Sequence, residues 1–149
     1  MLKLDVKKPR KFISPLLSKK SITSRELSTF HEATNAYLAE LKKQLAQKQL
    51  DKFCATRIPA ELKNEIQLKY TIEKNMVTLI ETRPLWNDPC RWSELPVAIM
   101  IFDKESMAWQ LYWIRGNGKK EIYPQLESQK DLQKCIDEID EDPLCTFWG

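Results

Sequence analysis

The chain has 149 residues, 42% hydrophobic and 30% charged, with a formal net charge of +3. That length holds one hydrophobic core, not two, and the balance of apolar to charged residues is that of a folded protein, which excludes a disordered chain. The longest apolar run, Leu95 to Phe102, is strand-length and interrupted by Pro96. A membrane-spanning helix needs about 20 apolar residues, so no membrane partner is expected.

The total charge hides an asymmetry. Residues 1–20 carry seven Lys or Arg against the single acid Asp5, a net +6, while the other 129 residues carry 17 bases and 20 acids, a net −3. Residues 1–20, with Lys7, Lys8, Arg10 and Lys11 clustered between Pro9 and Pro15, read as a basic flexible arm. The run Lys7 to Lys11 also resembles a nuclear import signal, but an electrostatic arm is the reading kept. Residues 21–149 read as a single α+β domain. The four cysteines form no C-x-x-C pair, His31 is the only histidine, and no apolar leader opens the chain. Free thiols in a reducing cytoplasm, with no metal and no cofactor, are the expectation.

A long helix is announced by Thr23 as N-cap, Glu26 three residues later as the other half of a capping box, and Ile22 against Leu27 as a hydrophobic staple. Leu27, Phe30, Thr34, Tyr37, Leu38, Leu41 and Leu45 recur at three and four residues, predicting a core-facing stripe on a helix that runs to Phe53 or Cys54. His31 falls at the edge of that stripe and is read as a boundary residue. A short helical turn through Leu62 follows.

The first strand alternates at Ile66, Leu68, Tyr70 and Ile72, and Lys74-Asn75 supplies a hairpin turn in which Asn accepts positive φ. The second runs from Met76 to Thr82, and the turn sets Ile72 opposite Val77, Tyr70 opposite Leu79 and Leu68 opposite Glu81, so that Glu81 shares the apolar face. The third, Val97 to Phe102, is apolar on both faces and belongs mid-sheet. The fourth, Met107 to Arg115, sets Trp109, Leu111 and Trp113 against Tyr112 and Ile114. Gly116-Asn117-Gly118 turns into a short strand from Lys119 to Tyr123. A last helix opens at Ser128, buries Leu132, Cys135, Ile136 and Ile139, and ends before Pro143. The expected fold is α+β: a long N-terminal helix, an antiparallel meander of five strands, and a C-terminal helix packed on one face of the sheet.

One constellation stands out. Glu81, Arg83 and Trp86 precede Pro89, Trp92 and Pro96, and Trp109, Tyr112, Trp113 and Arg115 follow on the fourth strand. Glu81 and Arg83 are two apart on a strand and share a face, which suits a charge-assisted pair holding the loop that follows. Set among indoles, Arg83 and Arg115 also suit an anion or a base. These residues, E-T-R-P-L-W at Glu81 to Trp86, D-P at Asp88, L-P-V-A at Leu95, W-Q-L-Y-W-I-R at Trp109 and I-D-E-D-P-L-C-T-F-W-G from Ile139, resemble the bacterial domain of unknown function 3024 family. The resemblance covers about residues 58–149 and implies a domain, not an activity. The chain departs from that pattern after Arg115, where Gly116 to Glu121 reads G-N-G-K-K-E in place of an acid and a Lys-Trp-His run.

Three functions compete on this reading. An accessory or protein-interaction domain would use an unknown protein partner, with the acidic stretch Glu127 to Asp142 and the terminal Phe147, Trp148 and Gly149 as candidate contacts, the alternative being that Phe147 and Trp148 tuck back against the sheet and close the core. A nucleic-acid-binding module would use the basic arm for phosphates and exposed aromatics for bases. A hydrolase is the weakest, since no Walker loop, G-x-S-x-G or H-E-x-x-H is present. Glu81-x-Arg83 resembles the E-x-K strand of a metal-dependent nuclease, but the preceding strand lacks the aspartate and arginine does not deprotonate. The seven candidate surface residues are therefore Glu81, Arg83, Trp86, Trp109, Tyr112, Trp113 and Arg115, with no catalytic residue assigned and the oligomeric state open.

Overall fold

The structure, a computed structural model, describes residues 23–148, so the basic cluster Lys7, Lys8, Arg10 and Lys11, the staple residue Ile22 and Gly149 lie outside the described residues. Its elements are α1 (Ser24–Thr56), a 3-10 turn (Ala60–Leu62), β1 (Gln67–Glu73), β2 (Met76–Leu85), β3 (Asp88–Asp103), β4 (Ala108–Ile114), β5 (Lys120–Ile122) and α2 (Leu132–Glu141). The chain divides into two compact units between Leu38 and Ala39. Among the described residues, no helix is long and apolar enough to cross a membrane.

The described part of the N-terminal unit is the first half of α1. Its capping box forms as the sequence requires: the Glu26 amide donates to Thr23 Oγ1 at 3.2 Å and the Thr23 amide donates to Glu26 Oε2 at 3.1 Å. The expected core-facing stripe does not form. Leu27, Phe30, Thr34, Tyr37 and Leu38 are all exposed, because the unit's described residues contain no second element to bury them.

In the C-terminal unit the same correction has a geometric cause. Leu41 and Leu45 are exposed, and the residues that α1 turns inward are Ala39, Lys42, Ala46, Gln49, Leu50 and Phe53. That line is one residue, about 100° of helix rotation, away from the leucine stripe. Ala46 is small enough to bring the helix backbone close to its neighbours. The polar members are tied down at the approach to α2, Lys42 Nζ donating to the Lys130 carbonyl and Gln49 Nε2 to Asp131 Oδ1, each at 2.8 Å.

The sheet is an antiparallel meander in the order β1-β2-β3-β4-β5 with β3 at its centre. Ile72 pairs with Val77, Tyr70 with Leu79 and Leu68 with Glu81, as the hairpin predicts, though positive φ falls at Lys74 (56°) and not at Asn75. Asn75 instead spends its side chain on β3, its Nδ2 donating to the Phe102 carbonyl at 2.8 Å. Leu68, Val77, Leu79, Ala98, Met100, Phe102, Trp109 and Leu111 form one face. They share a single core cluster with Leu50 and Phe53 of α1 and with Leu132, Cys135, Ile136 and Ile139 of α2. Both helices thus cover one face. Ile99 and Ile101 on the other face of β3 are only half-buried, so that strand is flanked on both edges but covered on one side.

The last helix begins at Leu132, not at Ser128. Asp131 is its N-cap, accepting the Gln133 amide at 3.0 Å. Just before it Gln129 is drawn into a bridge with Trp109, the two amides donating to each other's carbonyls at 2.7 and 2.8 Å. The four residues expected to be buried on this helix are buried.

Candidate interaction surface

The strands β2 and β3 are longer than the sheet needs. β1 stops pairing at Gln67–Thr82 and β4 stops at Trp113–Ala98, yet β2 and β3 continue together through Arg83–Ser93, Pro84–Trp92 and Leu85–Asp88. What reads in sequence as a loop after Glu81 is therefore a two-stranded ribbon with Trp86 and Asn87 at its tip. Two irregularities shape it. The pairing slips between Leu79–Ala98 and Ile80–Pro96, leaving Val97 as an extra residue, and slips again between Pro84–Trp92 and Leu85–Asp88, leaving Pro89, Cys90 and Arg91 unpaired. Asp88 holds the second bulge by accepting the Cys90 amide at 3.2 Å, and Ser93 Oγ donates to the Arg83 carbonyl at 3.2 Å.

At the base of the ribbon Glu81 and Arg83 form the pair the sequence suggests, Arg83 Nε lying 2.8 Å from Glu81 Oε1. Glu81 is largely covered and Arg83 is exposed, so the carboxylate anchors while the rest of the guanidinium faces solvent. Lys69 makes an ion pair with Glu94 across the opposite face of β2. An isolated two-stranded ribbon is marginal in water, and these side-chain ties are what fixes this one.

The seven candidate residues do not share one surface. Trp86, at the ribbon tip, is 93% exposed, with Trp92 and Leu95 also exposed along the ribbon. Trp109 is 4% exposed, its ring centroid 5.0 Å from that of Phe102, and belongs to the core. Tyr112 lies on the uncovered face, flanked by Ile99 on β3 and Ile122 on β5. Trp113 packs against the edge of the core, and Arg115 Nη1 meets Glu121 Oε1 at 2.9 Å. Each arginine thus has its own carboxylate, and the two do not converge on one anion site. A groove of about 170 Å³ between α1 and α2, lined by Gln49, Lys52, Gln133, Asp137 and Asp140 among others, contains none of these residues.

The C-terminal motif is bound into the body. Asp142 adopts φ 42° at the end of α2 and its carboxylate gathers three amides: Thr146 and Phe147 donate to Oδ1 at 2.7 and 3.1 Å, and Trp148 to Oδ2 at 3.0 Å. Trp148 Nε1 donates to the Ile139 carbonyl at 2.7 Å, and the Arg57 guanidinium sits 4.9 Å above the indole. Arg57 Nε is also 2.9 Å from Asp140 Oδ1, an ion-pair distance without hydrogen-bond alignment. Phe147 is buried against Tyr123, with ring centroids 5.1 Å apart. Phe147 and Trp148, expected as contacts for a partner, are instead turned inward, because one carboxylate in a left-handed cap can close the chain back over its own helix.

Sequence reasoning allows Phe147 and Trp148 to tuck back but misses the Asp142 carboxylate that holds them, although D-P after an acidic helix end was its signal, and misses that Arg91, Trp92 and Leu95 stand out on a paired ribbon. No group of three or more His, Cys, Asp or Glu that could hold a metal ion occurs among the described residues. Burial pushes the thiol of Cys135 up to about 12 and that of Cys54 up to about 11, with Asp131 and Asp51 adding to the respective shifts. Neither is a poised nucleophile.

The fold and the surface together define a small α+β domain whose distinctive exposed feature is an aromatic, arginine-bearing ribbon. A family model, the domain of unknown function DUF3024, matches residues 38–149, and the chain belongs to that family. The match starts at the residue where the N-terminal compact unit ends. No curated protein and no solved structure matches the chain significantly.

Proposed function

We propose that this chain is a cytoplasmic, bacterial-type accessory domain that binds another protein through the β2–β3 ribbon. The observation that carries the reading is Trp86, held at a two-residue tip with 93% of its surface in water. An indole buries about 150–250 Å² when it enters a pocket, which at about 25 cal/mol per Å² is worth roughly 4–6 kcal/mol before the costs of association. Trp and Arg are the residue types that dominate interface energetics, and Arg83, Arg91 and Trp92 stand beside Trp86. The ribbon is a poor template for strand addition, because Pro84, Pro89 and Pro96 remove donors from its edges. Recognition therefore runs through its side chains, into a folded partner that offers a pocket for the tip.

A photo-crosslinking residue placed at Asn87, compared with one at Ile122 on the uncovered sheet face, tests this in cells. The expected result is a discrete crosslinked protein from position 87 that excess unlabelled chain competes away and W86A/W92A chain does not. Equal competition by the double variant would overturn the reading. Titration with labelled single-stranded and duplex oligonucleotides supplies the rival outcome: saturable binding lost in W86A/W92A would make the ribbon a base-stacking platform and replace the protein partner by nucleic acid.

A further inference from the structure

We propose that the free edge of β1 is a second contact surface, independent of the ribbon, where β1 of a second copy of this chain pairs antiparallel and joins the two sheets into one. β1 is an outer strand of the sheet, and its seven residues pair with β2 without an irregularity. The other outer strand, β5, has three residues. Short length, a bulge or a proline commonly protects an edge against strand addition, and β1 has none of them. The backbone is arranged for such pairing. Across the two-residue turn Glu73 and Met76 exchange both ladder bonds, so Glu73, Thr71, Lys69 and Gln67 spend their N–H and C=O groups on β2. Those of Leu68, Tyr70 and Ile72 point away from β2 at the open edge, and they meet no backbone partner among the described residues.

The side chains select the occupant. Lys69, Thr71 and Glu73 are exposed on the uncovered face, with the cation and the anion equally far from Thr71. An antiparallel pairing of two β1 strands centred on Thr71 therefore sets Lys69 of each copy directly opposite Glu73 of the other. Shifting the pairing by two residues either way sets Lys69 opposite Thr71 or Asn75, and a slip by one sets it opposite the core-facing set. In the centred register Tyr70 of each copy faces Ile72 of the other, where both backbones have free N–H and C=O groups to exchange. Tyr70 and Ile72 are half-buried at the rim of the core, so the same pairing lays an aromatic ring against a β-branched side chain on the helix-covered face. Lys69 already meets Glu94 across β2, and an ammonium with three donors serves both carboxylates. Any extended segment could use the free backbone groups. The charges, however, complement themselves about Thr71, as a two-fold axis between identical chains requires.

Sedimentation velocity of the full chain tests the association. The expected species is twice 17.6 kDa for the native chain, and W86A/W92A sediments as the same dimer, which separates this edge from the ribbon. E73K sets a lysine against Lys69 of the other copy at both ends of the pairing, and K69E sets a glutamate against Glu73. Each weakens dimerisation by about tenfold or more, while thermal unfolding stays near native because both positions are exposed. Mixing the two variants restores an opposite charge at every facing position, so they form a dimer with each other. Register is read by mild oxidation of T71C in a chain also carrying C90S and C145S to remove the exposed thiols. T71C faces its own counterpart and links the two chains, whereas K69C, placed at opposite ends of the pairing in the two copies, does not. A monomeric native chain, a dimer that E73K and K69E leave intact, no gain on mixing them, or linkage through K69C in preference to T71C would each overturn the proposal.

Discussion

The C-terminal clasp and the β2–β3 ribbon both carry stretches of the family pattern, yet the fold treats them in opposite ways. The clasp closes within the chain: the Asp142 carboxylate accepts three amides, the Trp148 indole N–H reaches the Ile139 carbonyl, and Phe147 is buried against Tyr123. Folding alone accounts for those residues. In the ribbon the acid is satisfied internally by Arg83, but Trp86, Trp92 and Leu95 remain in water. Folding gives no reason for an indole at the tip of a hairpin, where a polar turn residue would serve the backbone equally well. Aromatic residues in this molecule are evidence for function only where packing does not already explain them.

Changes in the clasp test one side of that comparison and carry the largest expected effects. Phe147→Ala removes a buried ring and should cost about 3 kcal/mol or more in chemical denaturation. Asp142→Ala strips three amides of their acceptor and should cost about 2–3 kcal/mol. Asp142→Asn keeps one carbonyl oxygen and should fall between Asp142→Ala and the native chain. If Asp142→Ala unfolds at the native denaturant midpoint, the clasp is an ornament and its residues must be reconsidered as contacts.

Much of this was legible in the sequence, and the failures share a cause. The capping box at Thr23 and Glu26, the register of β1 on β2 and the buried residues of α2 follow from local chemistry and period. The stripe on α1 was misread because periodicity shows which face of a helix is apolar, not whether anything is there to meet it. In the C-terminal unit the core chose Ala46 over Leu45, trading side-chain size for close approach of the backbone. The ribbon was misread as a loop because three prolines in thirteen residues, Pro84, Pro89 and Pro96, argue against strand. They are accommodated at bulges and on open edges, which depend on where β1 and β4 stop. Trp109 and Trp86 are alike in sequence, and only the ends of those neighbouring strands decide that one is core and the other exposed.

A smaller effect is expected where α1 and α2 meet through Asp131, which caps α2 and accepts from Gln49 at 2.8 Å. The Gln49 side chain and the Gln133 amide hold this carboxyl below its ordinary value of 3.8. Its folded state is depressed, so its stabilisation is present above that ordinary value and lost as pH falls through the lower folded value. Asp131→Ala should cost about 1 kcal/mol at neutral pH, as loss of a helix cap does. Asp131→Ala and the native chain should then converge in stability as the pH is taken below 3.8. Parallel stability profiles across that range would mean that the cap contributes nothing through its charge.

The smallest stability effect is expected at the ribbon tip, where it matters most to the comparison. Trp86→Ala removes a side chain that touches little else, so thermal and chemical unfolding should move by no more than about 0.5 kcal/mol. Trp92→Ala, less exposed at 38% of its surface, should move somewhat further within the same small range. The same pair should abolish crosslinking from the tip. Those two outcomes together separate a binding residue from a structural one, since a residue that held the fold would lose both. A loss of 2 kcal/mol or more from Trp86→Ala, of the order seen for buried side chains, would place the indole in a packed environment and move the ribbon to the clasp's side of the comparison.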